Sequence, residues 1–292
     1  MHNDNSDQFI GHYIVLLVHG VNGTVADLEY AANAIRTRYD QHVIVLSPTI
    51  NHGLTHSGIG SQSQRLYDYL IEQLNSYQNA KYISIIGFSL GGLIARHLSY
   101  LLYQNKIIPN RLTPISLITV ATPNLGSRHH SRLGFGVHFT SFAALVAGVF
   151  LGQTGRQLFL SDGPDSLLIQ MTNDDHLDAL RQFRHRIAYA CSRHDLSVGF
   201  TTAAICRLNT FHQSAPGSLI EFLDDGQKGI QSSLDAEEEA IRSRLDTLEW
   251  RRVVFTPTKR FFGHFEIMVT SSSRAEHGAV VINDIVQCLN IV

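Results

Sequence analysis

The hydrophobic positions of the chain form short continuous runs, and each early run is followed by a longer stretch with apolar residues at helical spacing. Runs of Val, Ile and Leu at residues 13–18, 42–46, 82–86 and 115–120 have the length of strands. Helix-like stretches at 26–39, 62–74 and 90–102 separate them. Continuous apolar runs are typical of strands buried on both faces, and the helices between them supply right-handed crossovers. We therefore predict a mostly parallel α/β sheet.

The second half of the chain continues this pattern with wider gaps. Residues 187–191 and 250–255 have the composition of two further strands, and residues 278–289 predict a closing helix. Residues 235–250 combine Glu237, Glu238 and Glu239 with Arg242 and Arg244, which predicts a solvated helix with local charge pairs.

One apolar segment interrupts the alternation. Residues 133–151 contain no Asp, Glu, Lys or Arg, and their length approaches that of a membrane span. Polar residues such as His138 lie within the segment, and its flanks are polar. We favour an inserted cap or lid, predicted over residues 126–165; a plain core segment and a membrane-spanning segment are the alternatives.

Length and composition restrict the class of protein. The 292 residues, 44% hydrophobic and 16% charged, are enough for one domain with a large core, predicted over residues 13–292 after a polar tail at 1–12. The formal net charge of −2 gives no basic surface for nucleic acid and no polybasic membrane patch. The polar N-terminus lacks the features of a secretory signal, so we predict a cytoplasmic protein.

Cysteine and histidine usage gives no sign of a disulfide framework or a metal. Cys191, Cys206 and Cys288 are widely spaced in apolar surroundings, which predicts buried thiols in a reducing compartment. The 16 histidines are scattered, and only His129 and His130 are adjacent. We predict neither a metal site nor a cofactor.

The segment "GFSLGG", residues 87–92, is the strongest chemical signal. It lies between a predicted buried strand and a predicted helix, which is the context that Gly-x-Ser-x-Gly requires when its serine is a nucleophile. Glycines on both sides of Ser89 remove side chains that would collide where strand and helix pass closely. A serine that caps the helix would explain Ser89, but not the paired glycines. We predict that Ser89 is the nucleophile.

Acyl transfer at a serine also needs donors for the oxyanion. The first predicted strand ends in His19-Gly20-Val21, a His-Gly motif of the kind that shapes an oxyanion loop. We predict the backbone N–H groups of Val21 and Leu90 as the two donors. His19 is expected to shape the loop, because the triad that accompanies this motif runs serine, acid, histidine along the chain.

Candidates for the acid and the base lie further along the chain. Asp195 is the only carboxylate in the loop after the strand at 187–191, although an Asx-turn is an equally good explanation of an aspartate there. Two histidines compete as the base. His264 follows the strand at 250–255, His277 precedes the final helix, and spacing alone does not choose between them.

Taken together and in this order, several motifs resemble the serine esterase family of the α/β-hydrolase superfamily, which includes plant hydrolase-like proteins and fungal lipid-metabolising lipases. The motifs are "LLVHGVNG", "IIGFSLGGLIAR", "ITVATPNLGSR", "TGRQLFLSDG", "HDLSVGFTTAAI" and "LEWRRV…FFGHFEIMV". The resemblance implies an α/β-hydrolase fold with the nucleophile at Ser89 and the acid at Asp195. It also implies that His264 is the base, in a motif followed by an alternating apolar strand through Ile267 and Val269.

The chain departs from this family in two places. Asn124 stands where the family usually has a histidine, and residues 126–157 are only loosely similar. We expect a serine hydrolase that cleaves carboxylic esters, most simply acyl lipids, with transient contact to a membrane or lipid-droplet surface. An acyltransferase with the same triad and a non-catalytic binding module of the same fold are the alternatives.

Overall fold

The structure is a computed structural model that describes residues 12–128, 151–207, 215–222, 234–270, 275–289 and 291. The described strands are β1 (Tyr13–Val18), β2 (Val43–Leu46), β3 (Tyr82–Phe88), β4 (Thr113–Val120), β5 (His185–Cys191), β6 (Leu219–Phe222) and β7 (Arg251–Phe255). They form one sheet in the order β2-β1-β3-β4-β5-β7-β6. Every pair is parallel except β6 with β7. The prediction of a mostly parallel sheet is confirmed.

The described helices are α1 (Glu29–Tyr39), α2 (Ile59–Ser76), α3 (Leu90–Gln104), α4 (Gly152–Leu158), α5 (Leu167–Gln170), α6 (Asp174–Arg181), α7 (Phe200–Ala204), α8 (Ala236–Leu245), α9 (Gly263–Met268) and α10 (Ala275–Cys288). Short 3₁₀ turns at Val25–Leu28 and Asp40–His42 flank α1. Among the helices of the described ranges, none combines the length and the apolar character that crossing a membrane requires.

The sheet separates two hydrophobic cores, which explains the continuous apolar runs. Ile14 and Leu16 of β1 face one core together with residues of α2 and α3. Val15 and Leu17 alternate with them and face the other core, which α1 and α10 cover. A side chain of this size contributes about 1.5–3 kcal/mol when it is fully buried. Both faces of the strand must therefore be apolar, and helices lie on both faces of the sheet.

The parallel strands bring four loops to one edge of the sheet. The chain leaves the carboxyl ends of β1, β3, β5 and β7 into the segments that carry Val21, Ser89, Asp195 and His264. In an open parallel sheet, ligand sites lie at the carboxyl ends of the strands. This topology brings together residues that are far apart in sequence.

Two predictions about local structure need correction. Ile267 and Val269 were expected on an alternating strand, but residues 263–268 form helix α9. His264 and Ile267 are buried one helical turn apart, and Val269 ends the helix with a positive φ of 50°. Strand β6 was not expected at all. It has four residues, lies at the sheet edge and buries only Phe222, so no continuous apolar run marks it.

Cys288 also differs from its prediction. Cys191 and Cys206 are buried as expected, whereas Cys288 is half-buried. Its Sγ accepts a hydrogen bond from Nη1 of Arg251 at 3.0 Å, beside Asp284. Burial raises the pKa of the Cys288 thiol, and the negative charge of Asp284 is the second cause of that increase. Cys288 lies on the polar face of an amphipathic helix. Its apolar neighbours in sequence lie on the other face, so they did not indicate how far the thiol is buried.

The charged segment 235–250 and the apolar segment 133–151 were each given a prediction, and only the first can be compared with the described structure. The acidic segment forms α8, where Arg242 pairs with Glu239 and Asp246, so local charge pairs are present. The solvated face is only partial, because Glu238 and Arg242 are themselves buried. The apolar segment 133–151 lies outside the described residues except for Leu151, and the cap over 126–165 stays a prediction.

Candidate active site

Ser89 lies at the sharp turn between β3 and α3. Its backbone has φ 53° and ψ −126°, a conformation that residues other than glycine adopt at a cost of about 1–3 kcal/mol. The turn is held by the Ser89 N–H, which donates to the Val120 carbonyl at 2.8 Å. The Ser89 side chain does not cap the helix that follows. The helix-cap explanation therefore accounts for its position but not for its hydroxyl.

Close packing explains the glycines on both sides of Ser89. A Cβ on Gly87 would lie 2.3 Å from the carbonyl oxygen of Gly91. A Cβ on Gly91 would lie 2.2 Å from the carbonyl oxygen of Val18. Backbone atoms cannot move aside as a flexible side chain can, so the crossing of β1, β3 and α3 requires glycine at both positions.

His264 connects Ser89 to Asp195. Its Nε2 lies 3.1 Å from the Ser89 Oγ, and its Nδ1 lies 2.8 Å from Oδ2 of Asp195. A carboxylate oxygen only accepts, so Nδ1 carries the proton and Nε2 is free to accept from the serine hydroxyl. The side chains of His264 and Asp195 are 9% and 3% exposed, so water competes little for the hydrogen bond between them.

The second oxygen of Asp195 holds its own loop. Oδ1 accepts the backbone N–H groups of Ser197 at 2.9 Å and Val198 at 2.8 Å. This is the Asx-turn considered for an aspartate in this loop, and it coexists with the contact to His264. The two explanations of Asp195 are therefore not alternatives, because each uses a different oxygen.

His277 lies apart from this constellation. It belongs to the first turn of α10, and its Nε2 lies 3.8 Å from Oε2 of Glu276. Of the two histidines that the sequence left open, the structure brings His264 to Ser89.

The loop after β1 passes against Ser89. A Cβ on Gly20 would lie 2.8 Å from the Cβ of Ser89, so the loop touches the serine. Val21 follows Gly20 and lines the same cavity as Ser89 and Leu90. Leu90 is the first residue of α3, so its N–H has no acceptor within the helix. The two expected oxyanion donors thus belong to backbone that meets at Ser89.

A polar network that the sequence did not reveal holds this loop. Asn22 has a positive φ of 52°, and its N–H donates to Oγ1 of Thr55 at 3.1 Å. The buried Thr55 is in turn bound through its carbonyl oxygen by Oγ1 of Thr154 in α4, at 2.8 Å. The Gly58 N–H also donates to Oγ1 of Thr154 at 2.9 Å. The loop after β1 is therefore tied to α4, which lies within residues 126–165, the range predicted for the cap.

A cavity of about 550 Å³ opens at Ser89 and His264. This volume is within the usual range for small-molecule sites. Much of its lining is apolar and comes from distant parts of the chain: Leu28, Leu151, Leu158, Phe159, Val198, Phe265 and Met268. Within the described residues, no group of three or more His, Cys, Asp and Glu side chains is arranged to hold a metal ion.

Asn124, the departure from the resembled family, binds a buried arginine. Nη1 of Arg96 donates to the carbonyl oxygen of Asn124 at 2.9 Å, and Nδ2 of Asn124 donates to the carbonyl oxygen of Ala203 at 3.3 Å. Burial lowers the pKa of Arg96 to about 10. Asn124 thus joins α3, on which Arg96 lies, to α7.

His97 of α3 and His176 of α6 form a separate pair, in which His176 is buried and His97 is half-buried. Nδ1 of His97 lies 3.3 Å from Nε2 of His176, and the His176 ring stacks on Tyr100 with a centroid distance of 3.8 Å. Burial lowers the pKa of His97 to about 4. Burial, with the charge of neighbouring groups, lowers the pKa of His176 to about 3. Both rings are therefore neutral near pH 7.

Comparison with known proteins identifies a family for this chain. The sequence family described as "Putative serine esterase (DUF676)" matches residues 11–208. Among curated protein sequences, none matches the chain significantly.

Two solved structures share the fold over nearly the whole chain. The lin2722 gene product of Listeria innocua is 12% identical, with a TM-score of 0.52 over 96% of this chain and 95% of its own. Carboxyl esterase 2 from the fungus Tuber melanosporum is 12% identical, with a TM-score of 0.51 over 98% of this chain and 78% of its own. A third, an extracellular α/β-hydrolase from a Paenibacillus species, is 18% identical with a TM-score of 0.29, and the match spans 38% of this chain and 40% of that protein.

Proposed function

This chain belongs to the serine esterase family DUF676 and has the α/β-hydrolase fold, and on that basis we propose that it hydrolyses carboxylic esters through a Ser89-His264-Asp195 triad. The observation that carries the proposal is the hydrogen-bonded series from the Ser89 Oγ through the His264 ring to Asp195. A serine hydroxyl is a weak nucleophile at neutral pH and needs a base within hydrogen-bond reach. His264 meets that requirement.

The proposed reaction has two halves. The Ser89 Oγ attacks the ester carbonyl carbon while Nε2 of His264 takes the hydroxyl proton, and Asp195 stabilises the imidazolium that forms. The N–H groups of Val21 and Leu90 hold the tetrahedral oxyanion. The leaving alcohol receives the proton from His264, which leaves an acyl group on Ser89. Water, deprotonated by the same imidazole, then attacks the acyl carbon; the bond from that carbon to the Ser89 Oγ breaks, His264 returns the proton to Oγ, and the acid is released.

The apolar lining of the cavity supports an ester with an acyl chain as the substrate. An acyl tail binds by burial of apolar surface, and Leu158, Phe159 and Met268 supply such surface within the same cavity as Ser89. We propose an acyl lipid rather than a short polar ester. Leu151, the last residue of the apolar segment 133–151, also lines this cavity.

Labelling with a fluorophosphonate probe, followed by mapping of the modified residue, tests the triad. The probe reacts only with an activated serine, so we expect modification of Ser89 in the native protein. His264→Ala should lose labelling, and it should lower kcat for a soluble ester by at least about 10³-fold. His277→Ala is the matched control and should label like the native protein. Loss of labelling in His277→Ala with retention in His264→Ala would identify His277 as the base. Absence of labelling in the native protein would refute the proposed activity.

Chain-length dependence tests the substrate class. Leu151→Glu places a charge on the wall of the cavity, which should weaken binding of a long acyl tail and leave an acetate ester unaffected. We expect kcat/KM for a long-chain p-nitrophenyl ester to fall at least about tenfold more than for the acetate ester. Equal losses on the two esters would contradict an acyl site at this wall.

A further inference from the structure

Exposed apolar side chains concentrate beside the triad. Phe261, Phe262 and Phe265 are 62%, 51% and 42% exposed, and Leu196 is 44% exposed. Single exposed apolar residues are ordinary on protein surfaces, but a cluster of large ones marks an interaction site. Three phenylalanines within five residues form such a cluster.

The four side chains belong to two segments that are bound to each other: Leu196 lies in the loop after β5, and the three phenylalanines lie in the loop after β7 and on α9, which follows it. The Gly263 N–H donates to the His194 carbonyl at 3.1 Å, and His264 binds Asp195 at 2.8 Å. Leu196 directly follows Asp195, and Phe262 directly precedes Gly263. The cluster is therefore one surface, carried by the two segments that hold Asp195 and His264.

On these two segments, the positively charged side chains face solvent and the negatively charged side chains are buried. Lys259 and Arg260 are exposed and Arg193 is partly exposed. The two carboxylates, Asp195 and Glu266, are turned inward: the Asp195 side chain is 3% exposed and Glu266 is 2% exposed. Glu266 accepts the backbone N–H groups of Thr258 and Lys259. The outward charges of both loops are cationic.

We propose that this surface docks on the anionic face of a lipid bilayer. We call it the apolar rim, defined by Leu196, Lys259, Arg260, Phe261, Phe262 and Phe265. Aromatic side chains partition into the headgroup and acyl boundary, and lysine and arginine near an anionic leaflet add attraction. The positive charges of Lys259 and Arg260 complement anionic headgroups, and the adjacent phenylalanines suit the apolar layer beneath them. Both features favour an anionic bilayer over an uncharged surface.

The rim continues into the cavity. Phe265 is exposed at the rim and also lines the cavity beside His264. Docking through the rim therefore places the mouth of the cavity against the bilayer. This inference deepens the proposed function and rests on it only in that the substrate would be a lipid ester drawn from that bilayer.

Vesicle sedimentation tests the rim without requiring activity. The parent protein carries Ser89→Ala, which keeps the lipid intact, and the vesicles are phosphatidylcholine alone or a mixture with phosphatidylserine. Phe261→Ser with Phe262→Ser should lower partitioning to the mixed vesicles by at least about tenfold, because two aromatic side chains lose their apolar contact. Lys259→Glu with Arg260→Glu should lower it by at least about tenfold on mixed vesicles and have little effect on phosphatidylcholine.

Matched controls lie at the opposite edge of the sheet. Tyr77 is 37% exposed and Lys81 is exposed, and both precede the amino end of β3. Tyr77→Ser and Lys81→Glu should partition like the parent. The rim variants with Ser89 restored should hydrolyse a soluble acetate ester at the native rate, which shows that they fold.

Three results would overturn docking on a bilayer. They are an absence of parent binding to mixed vesicles at low salt, equal binding by rim and control variants, and a rim-dependent dimer in size-exclusion chromatography that identifies a second copy as the occupant. Rim-dependent vesicle binding by a protein without esterase activity would retain the docking surface and reject the proposed function. Esterase activity without vesicle binding would do the reverse.

Discussion

Replacing Asp195 by asparagine separates the two jobs of this side chain. In the native protein, Oδ1 accepts the N–H groups of Ser197 and Val198, and Oδ2 accepts the Nδ1–H of His264 at 2.8 Å. The amide of Asp195→Asn must present its oxygen to the two backbone donors. The opposite orientation would forfeit both hydrogen bonds, at about 0.5–1.5 kcal/mol each, and would place N–H against N–H.

The amide nitrogen of Asp195→Asn therefore faces the histidine. Two N–H groups cannot share the 2.8 Å contact, so the imidazole moves its proton to Nε2. His264 then has no lone pair for the Ser89 hydroxyl. We expect kcat to fall by about 10⁴-fold, the size of effect that a wrong histidine tautomer has in such triads. The thermal midpoint should stay near the native value, because the turn keeps both backbone hydrogen bonds.

Asp195→Ala is the comparison that completes the test. It removes the acceptor of both backbone N–H groups, of which that of the exposed Ser197 can turn to water and that of the buried Val198 cannot. We expect a loss of about 2 kcal/mol in the free energy of unfolding, or about 5 °C in Tm. The assays are hydrolysis of a soluble acetate ester and thermal unfolding by circular dichroism. More than about a hundredth of native activity in Asp195→Asn, or equal losses of Tm in both variants, would refute the division of roles.

Three further predictions concern the turn, the oxyanion loop and the histidine pair. Gly91→Ala would place a Cβ 2.2 Å from the Val18 carbonyl oxygen, so we expect little soluble protein and a Tm lowered by more than 10 °C, about the effect of 4 kcal/mol; a Tm near the native value would contradict this packing. Thr55→Val removes the acceptor of the Asn22 N–H and should lower kcat about tenfold with KM little changed, while Thr55→Ser should restore kcat; equal rates for the two variants would show that the hydroxyl does not position the loop. The pKa of His176 is lowered from 6.5 to about 3. Between these two pH values the unfolded chain binds a proton at His176 and the folded chain does not, so the free energy of unfolding falls as the pH drops from 6.5 towards 3. His176→Phe keeps the stacked ring, and its Tm should fall less than the native Tm between pH 7 and pH 5; identical falls would exclude this linkage.

Much of the fold could be predicted from the sequence because burial on both faces of a parallel sheet leaves a local mark. Residues 13–18 and 82–86 are continuous apolar runs for this reason. Strand β6 leaves no such mark, since Glu221 is exposed and only Phe222 is buried. Helix α9 was misjudged because six residues are too few to distinguish a period of 3.6 from a period of 2.

The candidate site shows the same division between local and distant determinants. Ser89 is marked by the strand, turn and helix around it, all within about 20 residues. Whether His264 or His277 meets Ser89 depends on strand order and on how α9 and α10 pack, which spacing alone does not contain. The bond between Thr55 and Thr154 joins segments 99 residues apart through a hydroxyl, and neither residue type signals it. The pair Phe261-Phe262 next to Lys259 and Arg260 is visible in the sequence as a signal for a docking surface. A search for hydrophobic periodicity does not detect it, because two adjacent residues have no period.

The backbone at Ser89 has a consequence for how this protein can change over generations. At φ 53° and ψ −126°, glycine fits better than any other residue, so a Ser89→Gly mutation should raise stability by about 1 kcal/mol or more while it removes the proposed nucleophile. A lineage that no longer needed the hydroxyl would gain robustness from that single step and would tend to fix it. A serine at this position thus costs the chain stability, and the proposed hydrolysis accounts for that cost where binding alone does not.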